Sequence, residues 1–187
     1  ACSGLLMNAD SGGQAEIPSD STLNLTSKGS ISCWVYMNSF NTWGGIIHKG
    51  ESQNSNHLGI FSDETYSLQF TGDDDSPSMI IIPNNNTYYE IKATTNMQED
   101  TWYHIAATWD QAAGADELVI YINGVEERSL ASLPGPARST ASSMTIGAQF
   151  GDGDYAFDGI VDELYIYNRQ LSAAEVLTLY NDGLRQP

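Results

Sequence analysis

Carboxylates supply most of the reactive chemistry in this sequence. Asp116-Glu117 and Asp162-Glu163 are adjacent pairs, and Asp73-Asp74-Asp75 and Gly151-Asp152-Gly153-Asp154 are acidic runs among turn-forming residues. Two carboxylates can hydrolyse a glycosidic bond when acid and nucleophile face each other about 5 Å apart. A strand puts alternate residues on one face, so such a pair needs a spacing of two. Adjacent acids project to opposite faces, and neither pair here has a third acid to complete a set, so both read as non-catalytic. Acidic runs in loops are usually solvated, which accounts for Asp73 to Asp75. Asp152 and Asp154 alternate with glycine without completing a calcium-loop pattern, and a ligand role for them stays open. Asp162 stands among apolar strand residues, where a buried carboxylate is costly unless paired or metal-bound. An ion pair with Arg169 and a bound cation are the two alternatives.

Other reactive groups are sparse. His48, His57 and His104 have no zinc spacing, no Gly-x-Ser-x-Gly elbow occurs, and Cys2 and Cys33 form no Cys-x-x-Cys motif. Cys33 alternates with Ile31 and Val35 and is either a free core thiol or half of a Cys2–Cys33 bridge. Several aromatics are more suggestive. Trp43, Tyr88, Tyr89, Phe150 and Tyr155 lie in or beside segments rich in Asn, Asp and Gly. Exposed rings flanked by such polar groups stack on pyranose faces while their neighbours hydrogen-bond the hydroxyls. The alternative is that each ring merely caps an end of the fold.

Charge narrows the ligand. With 24 acidic residues against 7 Lys plus Arg in 187 residues, the net charge is −17. Such a surface repels phosphate backbones and anionic lipid, which argues against nucleic acid and against docking on membranes. Divalent cations and neutral, hydroxyl-rich ligands remain. No apolar run is long enough to span a bilayer, and the start of the sequence has no signal-like pattern, as expected either of a chain that never carried one or of a mature or trimmed chain.

Short strands must position these side chains. Period-two or short apolar patterns occupy residues 4–7, 15–17, 30–37, 43–48, 58–61, 67–70, 79–82, 88–93, 102–109, 117–122, 125–128, 144–146 and 157–167. Asn123-Gly124 is the residue choice of a type I′ hairpin turn. Ser172 and Glu175 have capping-box spacing before Val176, Leu177, Leu179 and Tyr180, and Gly183 supplies a stop. About a dozen short strands with one terminal helix predict an all-β fold, an antiparallel two-sheet sandwich, in a single domain over 1–187.

Five stretches resemble one known family. They are Gln14 to Pro18 with Leu23-Asn24-Leu25, Ser30-Ile31-Ser32-Cys33-Trp34-Val35, Ile46-Ile47-His48-Lys49-Gly50, and Trp102 to Asp110 with Leu118 to Gly124. The fifth, Phe157 to Arg169 running into Leu171 to Val176, is the most specific. In this order they are similar to the laminin G-like jelly rolls of the concanavalin A-like lectin/glucanase superfamily. The resemblance implies that Trp34, Trp102 and Trp109 are core residues and that packing explains His104. It also implies a structural calcium ion between the opening segment and Asp162, with Asp10, Ser11 and carbonyls of the 8–13 turn as oxygen donors. Glycosidases of this superfamily carry alternating carboxylates on one strand, and lyases of similar fold alternate Arg with Glu. With Arg only at 128, 138, 169 and 185, neither cluster is present.

The expected function is a non-catalytic, calcium-stabilised, lectin-like module of a larger secreted or cell-surface protein. It binds a polysaccharide or glycan through Trp43, Tyr88, Tyr89, Tyr155, Asp152 and Asp154. A laminin G-type adhesion module recognising a protein partner is the alternative, and a glycoside hydrolase or polysaccharide lyase is the third reading.

Overall fold

The computed structural model describes residues 4–7, 13–50, 64–71, 74–83, 87–149 and 155–184. Its strands are β1 (Leu5–Met7), β2 (Ala15–Ile17), β3 (Lys28–Ser39), β4 (Gly45–Lys49), β5 (Tyr66–Phe70), β6 (Pro77–Ile81), β7 (Tyr89–Lys92), β8 (Trp102–Asp110), β9 (Leu118–Ile122), β10 (Val125–Leu130), β11 (Met144–Ile146) and β12 (Asp158–Tyr167); helix α1 spans Ala173–Gly183. Among the described residues they form two antiparallel six-stranded sheets. The first has the order β1-β12-β3-β8-β9-β10 and the second β2-β11-β4-β5-β6-β7. The expected strand at 58–61 lies outside the described residues.

Alternation decides which side chains enter the core. Ile31, Cys33 and Val35 of β3, with Ile105, Ala107 and Trp109 of β8, face Ile47, Leu68, Met79 and Ile91 of the second sheet in one buried cluster. Burying each large apolar side chain is worth roughly 1.5–3 kcal/mol, and together they hold the sheets face to face. Cys33 is a free thiol, and burial pushes its pKa up to about 12.

The opposite side of the first sheet receives α1. Val176 and Leu171 pack on Ala106, Val119 and Tyr121, and Tyr180 stacks on Trp34 with ring centroids 5.5 Å apart. The capping box at Ser172 and Glu175 is formed. The hairpin turn is also as expected, with Asn123 and Gly124 at φ 51° and 76°. Gly183 plays a different part from the stop expected of it, because it closes α1 from inside. A β-carbon there would lie 2.1 Å from Trp34 Nε1, so the glycine admits the indole.

Three other expectations need correction. The strand expected to begin at Trp43 begins at Gly45, and Trp43 occupies the preceding turn. Trp102 is not core; it is 37% exposed on the outward face of the first sheet, at the strand end beyond the reach of α1. Asp162 is only half-buried and lies opposite Trp34 on that same face, while Arg169 pairs with Glu175 at 2.7 Å instead.

Candidate functional site

The segment between β3 and β4 builds an aromatic corner. Phe40 meets the edge of Phe70 in the core, and the Gly44 N–H donates to the Asn41 carbonyl at 2.9 Å, closing a tight turn. Trp43 stands in that turn at φ 69°, 43% exposed. A second turn lies against it. The Gly45 N–H donates to the Tyr155 carbonyl at 2.9 Å, Asn41 Nδ2 donates to the Ala156 carbonyl at 2.8 Å, and Gln149 Nε2 donates to the Trp43 carbonyl. Tyr155 is itself at φ 53°.

Left-handed backbone is a genuine outlier for a bulky residue. It costs of order 1–3 kcal/mol per position and persists only where the surroundings over-determine it. Here the hydrogen bonds from Gly45, Asn41 and Gln149 do so. Gly44 and Gly45, which follow Trp43, are both buried and open no approach to the ring. A β-carbon on Gly45 would stand 2.5 Å from the Ala148 carbonyl carbon, so that glycine admits the neighbouring backbone instead.

Tyr88 and Tyr89 are not part of this corner. Tyr89 pairs with Ile81, Ile81 with Tyr66, and Tyr66 with Lys49, whereas Trp43 precedes Gly45 at the other end of β4. Four register positions separate the two ends, about 13 Å of strand. Tyr88 is 50% exposed, and Tyr89 packs partly against the core. Asp152, Asp154, Asp10 and Ser11 lie outside the described residues.

Sequence reading missed a polar ladder on the outward face of the second sheet. His48 pairs with Ser67 and with Thr145, and Gln69 pairs with Ser78, which pairs with Lys92. Ser67 Oγ donates to Gln69 Oε1 at 2.9 Å, Thr71 Oγ1 meets Ser78 Oγ at 2.6 Å and donates to Glu90, and Lys92 pairs with Asp74 at 2.7 Å. Gln69 is level with Gly45, so this end of the ladder adjoins the aromatic corner. The signal was the alternation of these polar residues with Ile47, Leu68, Met79 and Ile91. Burial lowers the pKa of His48 to about 3 and keeps it neutral.

Among the described residues, the reactive groups elsewhere do not assemble into a catalytic set. Ser32 Oγ and His104 Nε2 are 2.8 Å apart, yet both residues are buried and the His104 ring packs against Trp34 and Tyr180. Desolvation lowers the pKa of His104 to about 4. Asp162 and Glu163 depart from the alternation expected of them, because a bulge with Glu163 at φ 47° interrupts the pairing of β12 with β3. Asp162 Oδ1 accepts the Glu163 N–H at 2.8 Å. Burial first, then the charges of Asp162 and Asp182, raise the pKa of Glu163.

Asp162 does not gather a calcium shell by itself. Among the described residues no group of three His, Cys, Asp or Glu side chains is placed to hold a metal ion. β1 runs antiparallel to β12, with Leu5 opposite Val161 and Met7 opposite Gly159. Met7, the last described residue before the expected turn, is therefore level with Gly159, about 10 Å along the strand from Asp162.

A family model described as the concanavalin A-like lectin/glucanases superfamily matches residues 9–177. No curated protein sequence matches the chain. Among solved structures, domain 4 of AbnA, a GH43 extracellular arabinanase from Geobacillus stearothermophilus, in complex with arabinotriose, is similar with a TM-score of 0.70 and 22% identity. The likeness covers 95% of this chain and 76% of that one. The CBM40 of the Ruminococcus gnavus IT-sialidase, bound to alpha2,3 sialyllactose, gives 0.71 at 14% identity, over 95% of both chains. The binding domain of Paraclostridial Mosquitocidal Protein 1 gives 0.68 at 18% identity, over 96% of this chain and 43% of that one. At these identities the likeness is one of fold.

Proposed function

This chain belongs to the concanavalin A-like lectin/glucanases superfamily, and we propose that within it the molecule is a non-catalytic carbohydrate-binding module whose glycan sits on the Trp43/Tyr155 corner. The observation that carries this is the pair of strained aromatic positions held by one hydrogen-bonded set of turns. Strain of this kind concentrates at binding sites. An exposed indole offers a stacking face for a pyranose ring. Two of the solved structures of the same fold hold an oligosaccharide, arabinotriose in one and sialyllactose in the other. Net charge favours a neutral glycan over a sulfated or uronate one. Residence outside the cell, as part of a longer secreted or surface protein, goes with this reading.

Calcium is the second element of the proposal. Its support is the net charge of −17 and the oxygen donors of Asp10, Ser11 and Asp162, of which only Asp162 is described. Saturating calcium should raise the melting temperature by mass action at constant ionic strength, and Asp162→Ala should abolish that shift. Equal melting curves in calcium and in chelator would remove the ion from the account.

A glycan array probed with and without chelator tests the function. Binding to a defined set of neutral glycans is expected, and an array without a positive spot overturns it. Turnover of labelled polysaccharides in the same samples would make the molecule an enzyme instead.

A further inference from the structure

We propose that the outward face of the first sheet is a second, independent interaction surface, which docks a protein partner bearing Lys or Arg around an apolar patch. Leu6 pairs with Ile160, Ile160 with Tyr36, and Tyr36 with Trp102, giving one register row across four adjacent strands. The chain neighbours Met7, Val161 and Val35 point into the core, so alternation turns this row outward. Helix α1 covers the next row, at Trp34 and His104, and stops there. Leu6 is 65% exposed and Trp102 37%, and the Tyr36 and Trp102 rings touch with centroids 5.5 Å apart.

Three strand spacings make the row about 14 Å long. A contiguous exposed apolar patch with a polar rim marks an interaction site, and Trp and Tyr are the side chains that dominate such contacts.

The rim identifies the occupant. Asp162 and Glu163 flank the row on one side, and Asp158, Glu99 and Asp100 on the other, with Tyr36 Oη donating to Asp100 Oδ1 at 3.1 Å. The cations on β3 and just past β12, Lys28 and Arg169, stand at the far ends of those strands. A basic surface is therefore complementary. A glycan fits less well. The two rings are tilted by 53°, so they offer no common plane to successive pyranoses, and the row ends in aliphatic side chains.

The probe is a twelve-residue peptide alternating Lys and Leu, titrated into isotopically labelled protein at two salt concentrations, with a Glu/Leu peptide beside it. The Lys/Leu peptide should shift the Trp102 indole N–H and the amides of Leu6, Tyr36 and Ile160. The double variant Tyr36→Ser/Trp102→Ser should weaken it at least tenfold, and Leu6→Ser, at a more exposed site, should weaken it severalfold. The Glu/Leu peptide should leave the row unmoved. Shifts scattered over acidic loops with unchanged affinity in the variants would overturn the proposal. So would a self-association lost on Trp102→Ser, or a neutral oligosaccharide that shifts this row while the peptide does not. None of these outcomes depends on whether the Trp43 corner binds sugar.

Discussion

Trp43 and Tyr155 are the aromatic residues that stand on left-handed backbone among the described residues, and their two turns are joined by the Gly45 N–H donating to the Tyr155 carbonyl at 2.9 Å. Neither conformation suits its side chain. A fold that needed only to close the end of a sandwich would place Gly or Asn there. Two large rings at such positions are the observation on which the proposed glycan site rests.

Substitution at Trp43 separates strain from binding. Trp43→Gly relieves the backbone and should raise stability by about 1 kcal/mol, while the lost indole weakens glycan binding by about 1–3 kcal/mol. Trp43→Ala should lose the same affinity without the gain in stability, because alanine at φ 69° stays strained. Calorimetric melting and binding isotherms on both variants check this. Several kcal/mol of lost stability in both, with intact binding, would make Trp43 a structural residue.

Gly183→Ala should loosen the docking of α1. The new methyl would lie 2.1 Å from Trp34 Nε1, so either the indole or the last helical turn must move. Overpacking of this kind costs about 1–3 kcal/mol, against which alanine's better helix propensity returns at most about 1 kcal/mol. Chemical denaturation followed by tryptophan fluorescence measures the net loss. A variant as stable as the parent would contradict the close packing.

Glu64 gives the molecule a stability that falls towards neutral pH. Burial raises its carboxyl from 4.5 to about 7, with Arg138 opposing the shift. The folded state thus keeps a proton that the unfolded chain releases. This contribution is fully present below pH 4.5 and is lost as pH rises through about 7, an effect on the order of 3 kcal/mol. Glu64→Gln, neutral throughout, should gain on the parent between those limits in melting scans from pH 4 to 8. Parallel curves for the two proteins would contradict it.

Glu127 acts in the opposite direction. Burial opposes its ionisation, but N–H and O–H donors from Thr94 and Thr95 outweigh that and lower its pKa. Its stabilisation is present above the unfolded value near 4.5 and fades as pH falls through the lower folded value. Glu127→Ala should cost about 1 kcal/mol at pH 7, the lower end for charged hydrogen bonds because solvent screens the carboxylate. The deficit should shrink in acid, and a deficit that is constant from pH 7 to 3 would exclude the ionic contribution.

The strands were legible because alternation is a backbone property that the core enforces, as Ile31, Cys33 and Val35 illustrate. The hairpin at Asn123-Gly124 and the Ser172 cap were legible because their side chains locally favour the conformation they adopt. The aromatic corner was legible only as composition. Its geometry runs against the preference of Trp43 and Tyr155, so tertiary hydrogen bonds alone create it. Trp102 was misread for a related reason. It shares a face with His104, and nothing local shows that α1 stops one row short of it. The bulge at Glu163 likewise broke an alternation that the residue types around it gave no reason to doubt.

The indole N–H resonances of the four tryptophans test the central claim most directly, with the glycan picked by the array as titrant. Trp34 and Trp109 are buried, whereas Trp43 and Trp102 are exposed, the first in the turn before β4 and the second on the outward face of the first sheet. The Trp43 resonance should shift with saturation while Trp102 stays in place, and in Trp43→Gly the shifts of the neighbouring amides should saturate only at glycan concentrations several-fold to about a hundredfold higher. A glycan that moves Trp102 alone, or that binds with the Trp43 indole unmoved, would contradict the account.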